Sequence, residues 1–276
     1  QKDPYLFTSV VLSMGSMITE GSHLYLDTEA PHYNKALDLY FVVVEDLQHE
    51  TGAELTILRD FDKNTDLHKI LNLQGYVRMD MPETAHFKNF DWDTPKEFIS
   101  TLSKKSRYHF RKEIQPFLTK VQTKTIQKLN TDLLSRAYDL YDWVRTLNRG
   151  INTFAYPYKF FERMNEDPNY EFITISISSK EQEHLLIGIL FCYKSNKTYV
   201  PNLVGLSYHH LSDYAVYRQL LYQCILRAKA LGMNSVDFGL TAGFEKRKLG
   251  AQVDQPVSYV QSKENYKLQL LEMMNE

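Results

Sequence analysis

Cysteine is scarce in this chain. Cys192 and Cys224 are the only two in 276 residues. They form no Cys-x-x-Cys pair and have no histidines at ligand spacing, which argues against a disulfide framework and a structural zinc and fits a reducing, cytoplasmic setting. Long apolar runs are lacking too. Stretches such as Leu185 to Cys192 fall far short of the roughly 20 residues that a membrane span needs, so the chain reads as soluble with no transmembrane segment. No charged-then-apolar leader follows Gln1, which reads as a fragment or trimmed chain without a secretory signal and leaves open that it is one domain of a larger enzyme. Low-complexity tracts and short-period repeats are absent as well.

What is present is enough for a folded core. Hydrophobic residues make up 43% and aromatics 13% of the sequence, which supports one large core or two smaller ones and is unlike a disordered chain. The formal net charge of -2 hides a local asymmetry. Between Leu102 and Lys128 stand Lys104, Lys105, Arg107, Arg111, Lys112, Lys120, Lys124 and Lys128, against Glu113 alone. A cationic segment in an otherwise acidic chain marks a candidate anion site.

Periodicity divides the chain into two runs of strands and helices. In the first, Tyr5 to Met14, His23 to Glu29 and Ala53 to Phe61 read as strands. A helix from Tyr33 to Thr51 is stopped by Gly52, and a short helix over Asp66 to Leu73 ends at Gly75. Extended pieces at Tyr76 to Met81 and His86 to Asp91 follow. Thr94-Pro95-Lys96-Glu97 is a capping box with proline at the first helical position, so a helix starts there and the basic segment lies on its continuation. In the second run Leu133, Ala137, Leu140, Val144 and Leu147 mark an amphipathic helix. YEFITISIS, HLLIGILFCY and KTYVPNLVGL, joined by short polar links, read as an antiparallel meander. Ser212 is placed to cap a long helix that ends before Gly232, and Asn234 to Leu240 is a further strand. A helical turn near Glu245 to Leu249, a strand at Ser258 to Gln261 and a C-terminal helix close the chain. The expected architecture is α/β with mixed sheets, in two halves: 1–93, and 94–276 carrying the basic segment and the site.

The order of three strands, long helix, strand, short helix and strand resembles the core of the GNAT acyltransferases. LSKKSRYHFRKEI, Leu102 to Ile114, is similar to a Ser-Lys-Lys-x-Arg-x-x-x-Arg-Lys segment of the Fem-like branch, the double-GNAT proteins often labelled peptidoglycan biosynthesis or recognition proteins. ILRDF (Ile57 to Phe61), LNLQGYVRMDMP (Leu71 to Pro82) and LTAGFEKRKLGA, with Lys246 and Gly250 in a Lys-x-x-x-Gly element, share that resemblance. It implies two GNAT-like halves, each a twisted, mostly antiparallel sheet flanked by helices. It also implies no tightly bound cofactor, with acyl-CoA or an acyl carrier as co-substrate. One departure stands out. Where GNAT enzymes that use acetyl-CoA carry a glycine-rich turn to cradle pyrophosphate, this chain reads GLSYHHLSDY with Gly205 alone, which moves the expected donor toward an acyl carrier protein, an aminoacyl-tRNA or a long-chain acyl-CoA.

Lys104, Arg107, Tyr108, Arg111 and Lys112 recur at helical spacing along one side, with Lys105 beside them, so their cations can converge on one anion. A solvated face would show the same spacing. The shortage of neighbouring carboxylates and the suitability of arginine for bidentate phosphate contact favour a phosphate clamp. The expected chemistry is attack of an amine on an activated carbonyl, which needs a base, an oxyanion donor and an acid for the leaving group. A backbone N–H near VPNLVGL is the oxyanion candidate, and Tyr208, His209, His210 and Asp213 on the following turn are the candidates for base and acid. Glu245 and Lys246 form a second cluster, with Lys246 steadying negative charge by resemblance. Tyr156 and Tyr158, which flank Pro157, are the residues of FAYPYKFFERM most exposed to a cleft, in a stretch that otherwise serves packing. No metal-ligand set is apparent.

These residues lead to an N-acyltransferase that moves an acyl or aminoacyl group from a CoA, acyl-carrier or tRNA donor to an amine acceptor, such as a cell-envelope or lipid precursor. Two other readings stay open: a GNAT-fold binding or regulatory domain without catalysis, and a tRNA-binding protein that uses residues 102–128.

Overall fold

The computed structural model describes residues 9–16, 18, 20–148, 155–178 and 184–262. Along the first part of the chain run β1 (Val11–Ser13), α1 (Tyr33–Thr51), β2 (Leu55–Phe61), α2 (His68–Leu73), β3 (Val77–Asp80) and β4 (Thr84–Phe87). Then come α3 (Pro95–Thr101), α4 (Lys104–Glu113), β5 (Gln122–Ile126), α5 (Thr131–Leu147), α6 (Tyr158–Glu166), β6 (Tyr170–Ile177), β7 (Leu185–Lys194) and β8 (Thr198–Leu206). Last are α7 (Val216–Ala230), β9 (Ser235–Leu240), α8 (Gly243–Lys248), β10 (Gln252–Asp254) and β11 (Val257–Ser262).

The chain forms two compact units, Gln1–Glu83 with Asp254–Glu276, and Thr84–Val253. The expected halves, 1–93 and 94–276, divide the sequence at one point, whereas the units exchange strands. β11 enters the first sheet, of order β1-β2-β11-β3, and β4 enters the second, of order β10-β4-β9-β8-β7-β6-β5. Hydrogen bonding supplies the reason: β11 is antiparallel to both β2 and β3 and fills the slot between them. Periodicity shows that a strand exists but not which edge it joins.

In the first unit α1 spans the expected residues and ends on Gly52, whose φ of 66 suits glycine at a helix stop. Leu58, Phe61, Leu71, Tyr76, Val257 and Tyr259 make its core. The strand expected at His23 to Glu29 does not form; that stretch is irregular and ends in turns. Part of the first expected strand and the whole C-terminal helix lie outside the described residues.

The second unit places α5 and α7 on opposite faces of its sheet. Gly205 lets α5 approach β8, since a Cβ there would come 2.8 Å from Leu140 Cβ and 2.9 Å from the Tyr141 nitrogen. Gly188 does the same for α7, because a Cβ would collide with Val216. β6 and β7 are therefore covered on both faces, which is why they read as almost continuous apolar runs. The antiparallel meander β6-β7-β8 forms as expected. Far from the end of β8, Glu171 ties β6 to α7: it is 1% exposed as a side chain and accepts two hydrogen bonds from Arg227, at 2.8 Å each, and one from Tyr199 at 2.7 Å.

Two features shape the C-terminal part of β8. β8 carries a bulge at Asn202, next to Pro201, which has no N–H to give to a ladder. β8 also pairs in parallel with β9 only at Thr198↔Ser235 and Tyr199↔Val236. Beyond those pairs the two strands part, and the second edge of β8 is open toward its C-terminal end. No helix among the described residues is long and apolar enough to cross a membrane.

Candidate active site

The open end of β8 leads into the turn that holds the expected base. Ser207 extends the β7 ladder by donating its N–H to the Ile187 carbonyl, and the His210 N–H returns to the Ser207 carbonyl at 3.1 Å. This tight turn brings Ser207 Oγ, on a residue only 1% exposed, to 2.9 Å from His210 Nδ1. The His210 ring makes no other hydrogen bond among the described residues and lies tilted against Tyr214 at 6.1 Å. The end of α5 flanks the turn. Asn148 Nδ2 donates to the Tyr208 hydroxyl at 2.9 Å, and the His209 ring stands edge-on to Trp143 at 5.2 Å. Asp213 is exposed. The turn thus gathers Tyr208, His209 and His210 as the sequence led one to expect, together with Ser207, Asn148 and Trp143, which it did not single out. Ser207 stands three residues before a histidine at a strand end, and that spacing is the available signal.

Ser212 does not cap the long helix. α7 begins four residues later, after Ala215 in a left-handed conformation of φ 47, with no side-chain cap. The backbone on the way in satisfies itself: Tyr214, Ala215 and Val216 donate to the carbonyls of His210, Ser212 and Leu211. Those three N–H groups are spent within the turn, and the turn holds no glycine after Gly205.

The second cluster behaves differently. Lys246 is 2% exposed, and its Nζ donates to the carbonyls of Phe238, Gly239 and Leu240, each at 2.8 Å. It fastens the exit of β9 to α8. Glu245 accepts from Arg218 Nε at 2.6 Å and Nη2 at 3.1 Å, and from Lys248 at 3.1 Å. Lys248 and Arg218 also reach Glu113, at 2.9 and 3.3 Å, and Glu113 lies 2.8 Å from His109. Burial by itself would raise the Glu245 and Glu113 carboxyls, but the cationic donors outweigh it and hold both below the ordinary carboxylate value. A carboxylate so paired is a poor base.

The basic segment is a helix of its own rather than the continuation of α3. The chain turns extended at Leu102 and Ser103, and the Ser103 hydroxyl caps α4 by accepting from the Ser106 N–H. Arg107 reaches back across this break, its Nη1 donating to the carbonyls of Ser100 and Leu102. It fills the role of a cap on α3. Lys104, Lys105, Arg111 and Lys112 are exposed, with Lys112 over the Tyr108 ring at 5.9 Å. Tyr156 and Tyr158 enter an aromatic cluster: Tyr156 stacks on Phe160 at 4.8 Å and gives its N–H to the Tyr141 hydroxyl, while Tyr158 meets Tyr138 edge-on at 5.3 Å. Both are half-buried.

The family described as acetyltransferase (GNAT) domain matches residues 104–247, more than half of the chain and all of α4 to α8 but the final residue of α8. The chain belongs to this GNAT family. It is an acyltransferase domain, and the parting of β8 and β9 and the turn at Ser207 to His210 lie inside the matched GNAT region. Solved structures share the fold over most of the chain. FemX is 12% identical with a TM-score of 0.63, covering 98% of this chain and 85% of that one. L-PGS from Bacillus licheniformis is 13% identical with a TM-score of 0.57, covering 87% and 79%. A GCN5-related N-acetyltransferase from Sphaerobacter thermophilus is 11% identical with a TM-score of 0.52, covering 84% and 69%. No curated protein matches the sequence.

Proposed function

We propose that the second unit is an N-acyltransferase whose reaction takes place where β8 leaves β9, with His210 as the base. The observation that carries this reading is the Ser207–His210 pair, set on the turn at the open end of β8. With Nδ1–H donating to Ser207 Oγ, His210 keeps a lone pair on Nε2, the atom able to take a proton from an attacking ammonium or amine. The Ser207 N–H points to β7, so strand alternation sends those of Val204 and Leu206 to the open edge, where one of them can meet the oxyanion of the tetrahedral intermediate. Tyr208, fixed by Asn148, is the candidate to return a proton to the leaving group, and His209 and Asp213 border the turn.

The donor is an acyl or aminoacyl group on a carrier. Support comes from the turn before α7, which holds no glycine after Gly205 and spends the N–H groups of Tyr214, Ala215 and Val216 on its own carbonyls, and from the resemblance to the Fem-like branch. Lys104, Lys105, Arg111 and Lys112 on α4 take the donor's phosphates, and Tyr156 and Tyr158 border the acceptor side. The test is mass spectrometry of the purified chain incubated with acyl-CoA, acyl-carrier-protein and aminoacyl-tRNA donors against a panel of amines. Transfer from a carrier-bound donor is expected, and it should be lost in His210→Gln. Acetyl-CoA as the sole productive donor would defeat the carrier assignment, and full activity in His210→Gln would defeat the base.

A further inference from the structure

One flank of α5 carries an arginine without a counter-ion, and that flank looks over the place where β8 and β9 part. The helix itself sets the direction. Tyr138 and Tyr141 pack on Phe161 of α6, and α6 touches β6. At about 100° per residue, Arg136 and Trp143 stand on the far side of α5. Because the strands run in the order β9-β8-β7-β6, the far side from α6 is the side of the open edge of β8. The edge-on contact of Trp143 with His209, on the turn after β8, agrees with this direction.

Arg136 is half-buried and makes no hydrogen bond or ion pair among the described residues. Asp132 and Asp139 stand one turn away on either side, at the spacing where helical ion pairs form, yet neither takes it. Instead the side chain runs two turns along α5, and its Cζ lies 5.9 Å from the centre of the Trp143 ring. Nε is enclosed there without a partner, out of reach of any ligand. The two Nη atoms have no partner either, but they are not enclosed. A guanidinium partly stripped of water and given no acid is unfavourable, and Trp143, 37% exposed, leaves aromatic surface open beside it. Free outer donors and an open ring thus occur together at the edge of the site.

We infer that Arg136 binds an oxyanion, carboxylate or phosphate, carried by the acceptor amine, whose carbon chain passes along Trp143 toward His210. The planar Nη pair offers the parallel donors that either oxyanion accepts. The sheet assigns this anion to the acceptor. α4, whose cations are proposed for the donor's phosphates, packs through Phe110 on Tyr222 of α7, and α7 covers the face opposite α5. Arg136 therefore stands across the sheet from the α4 cations. The inference rests on the acyl-transfer reading and adds the class of amine that is acylated, one that also carries negative charge.

The test first reads binding alone, without donor or turnover. 4-Aminobutyrate and O-phosphoethanolamine are titrated into the purified chain, with 4-amino-1-butanol as the neutral comparison, and heat of binding and tryptophan fluorescence are followed. Trp143 is exposed, and Trp92, the other tryptophan, is buried, so a fluorescence change that is lost in Trp143→Phe reports this flank. At least one anionic amine is expected to bind saturably and at least tenfold more tightly than the amino alcohol, and the two arms tell which oxyanion is taken. Arg136→Gln should remove that preference with Tm nearly unchanged, and Arg136→Lys should restore part of it. Should Arg136→Gln fail to fold, the comparison of anionic with neutral amine and the Trp143 signal decide. In the transfer assay Arg136→Gln should raise KM for the acceptor and leave KM for the donor. Binding of neither anionic amine, equal binding of the amino alcohol, parental affinity in Arg136→Gln, or a rise in donor KM alone overturns the inference. Binding as expected in a chain that transfers nothing would defeat the acyl-transfer reading and leave the Arg136 site standing.

Discussion

Lys246 on α8 and His210 on the turn after β8 look alike in the sequence, each a titratable side chain in a polar cluster of the second unit. Their surroundings differ. The Lys246 ammonium is enclosed by three carbonyls at 2.8 Å, so every donor it has is engaged in holding β9 to α8. The His210 ring has a single hydrogen bond, to a buried serine on its own turn, which fixes its direction and leaves a nitrogen available. Saturation marks a group that holds the fold, and one orienting bond on an otherwise available ring marks a group that can do chemistry.

The largest effect should come from the turn. His210→Gln keeps a polar side chain of similar reach but loses the base, and transfer should fall by about 10²- to 10⁴-fold, with unfolding free energy within about 1 kcal/mol of the parent. Ser207→Ala should cost about tenfold in kcat with KM unchanged, because it loosens the ring without removing it. Steady-state kinetics beside urea unfolding checks both. A His210→Gln chain that unfolds would move the turn into the structural class and erase the contrast.

Lys246→Met is the converse experiment. It strands three carbonyls in a buried site, and unfolding free energy should drop by about 3 to 5 kcal/mol at an unchanged m-value. Urea denaturation measures it. A Lys246→Met chain as stable as the parent but inactive would return Lys246 to the chemistry that the resemblance assigns.

Local signals in the sequence were reliable where the structure is local. The capping box at Thr94 forms with both of its hydrogen bonds, α1 ends on Gly52, and the β6-β7-β8 meander follows from three apolar runs with short links. What escaped is set by partners distant in the chain. Nothing near Val257 says that β11 lies between β2 and β3, and nothing near Lys246 says that it turns to the carbonyls of Phe238 to Leu240. The break at Ser103 was legible in principle, since serine is a strong cap, but the helix expected from Thr94 hid it. In the candidate site His210 was visible as a residue type, while Ser207 acquires meaning only once the turn is folded.

Arg107 and Arg111 repeat the contrast on one helix. Arg107 caps α3, so Arg107→Ala should cost about 1 kcal/mol of stability through the lost hydrogen bonds to the Ser100 and Leu102 carbonyls. Arg111 is exposed, and Arg111→Ala should leave the fold intact but weaken donor affinity by about 1.5 to 3 kcal/mol, more at low salt than at high. Donor titrations at two salt concentrations separate the two. Equal donor affinity in the parent and Arg111→Ala would reduce α4 to a solvated face.

The charge cluster that joins α4, α7 and α8 predicts the smallest effect, and pH reads it. Burial acts to raise the Glu113 and Glu245 carboxyls, yet hydrogen bonds from Lys248, His109 and Arg218 leave both lowered in the folded chain. A carboxyl lowered by folding stabilises the fold fully above its unfolded value, and that contribution is lost as pH falls through the folded one. Both side chains are 21% exposed, and water screens the pairs, so about 1 kcal/mol is expected for the cluster rather than the sum of its bonds. The double variant Glu113→Gln with Glu245→Gln should therefore melt about 2 to 4 °C below the parent near pH 7. The gap should narrow as pH falls below the ordinary carboxylate value and close once the folded parent's two carboxyls are protonated as well. Thermal unfolding at a series of pH values checks this. A gap of constant size across that range would mean that the two glutamates act through shape and hydrogen bonding alone, and α8 would then be held to its neighbours by Lys246 without help from charge.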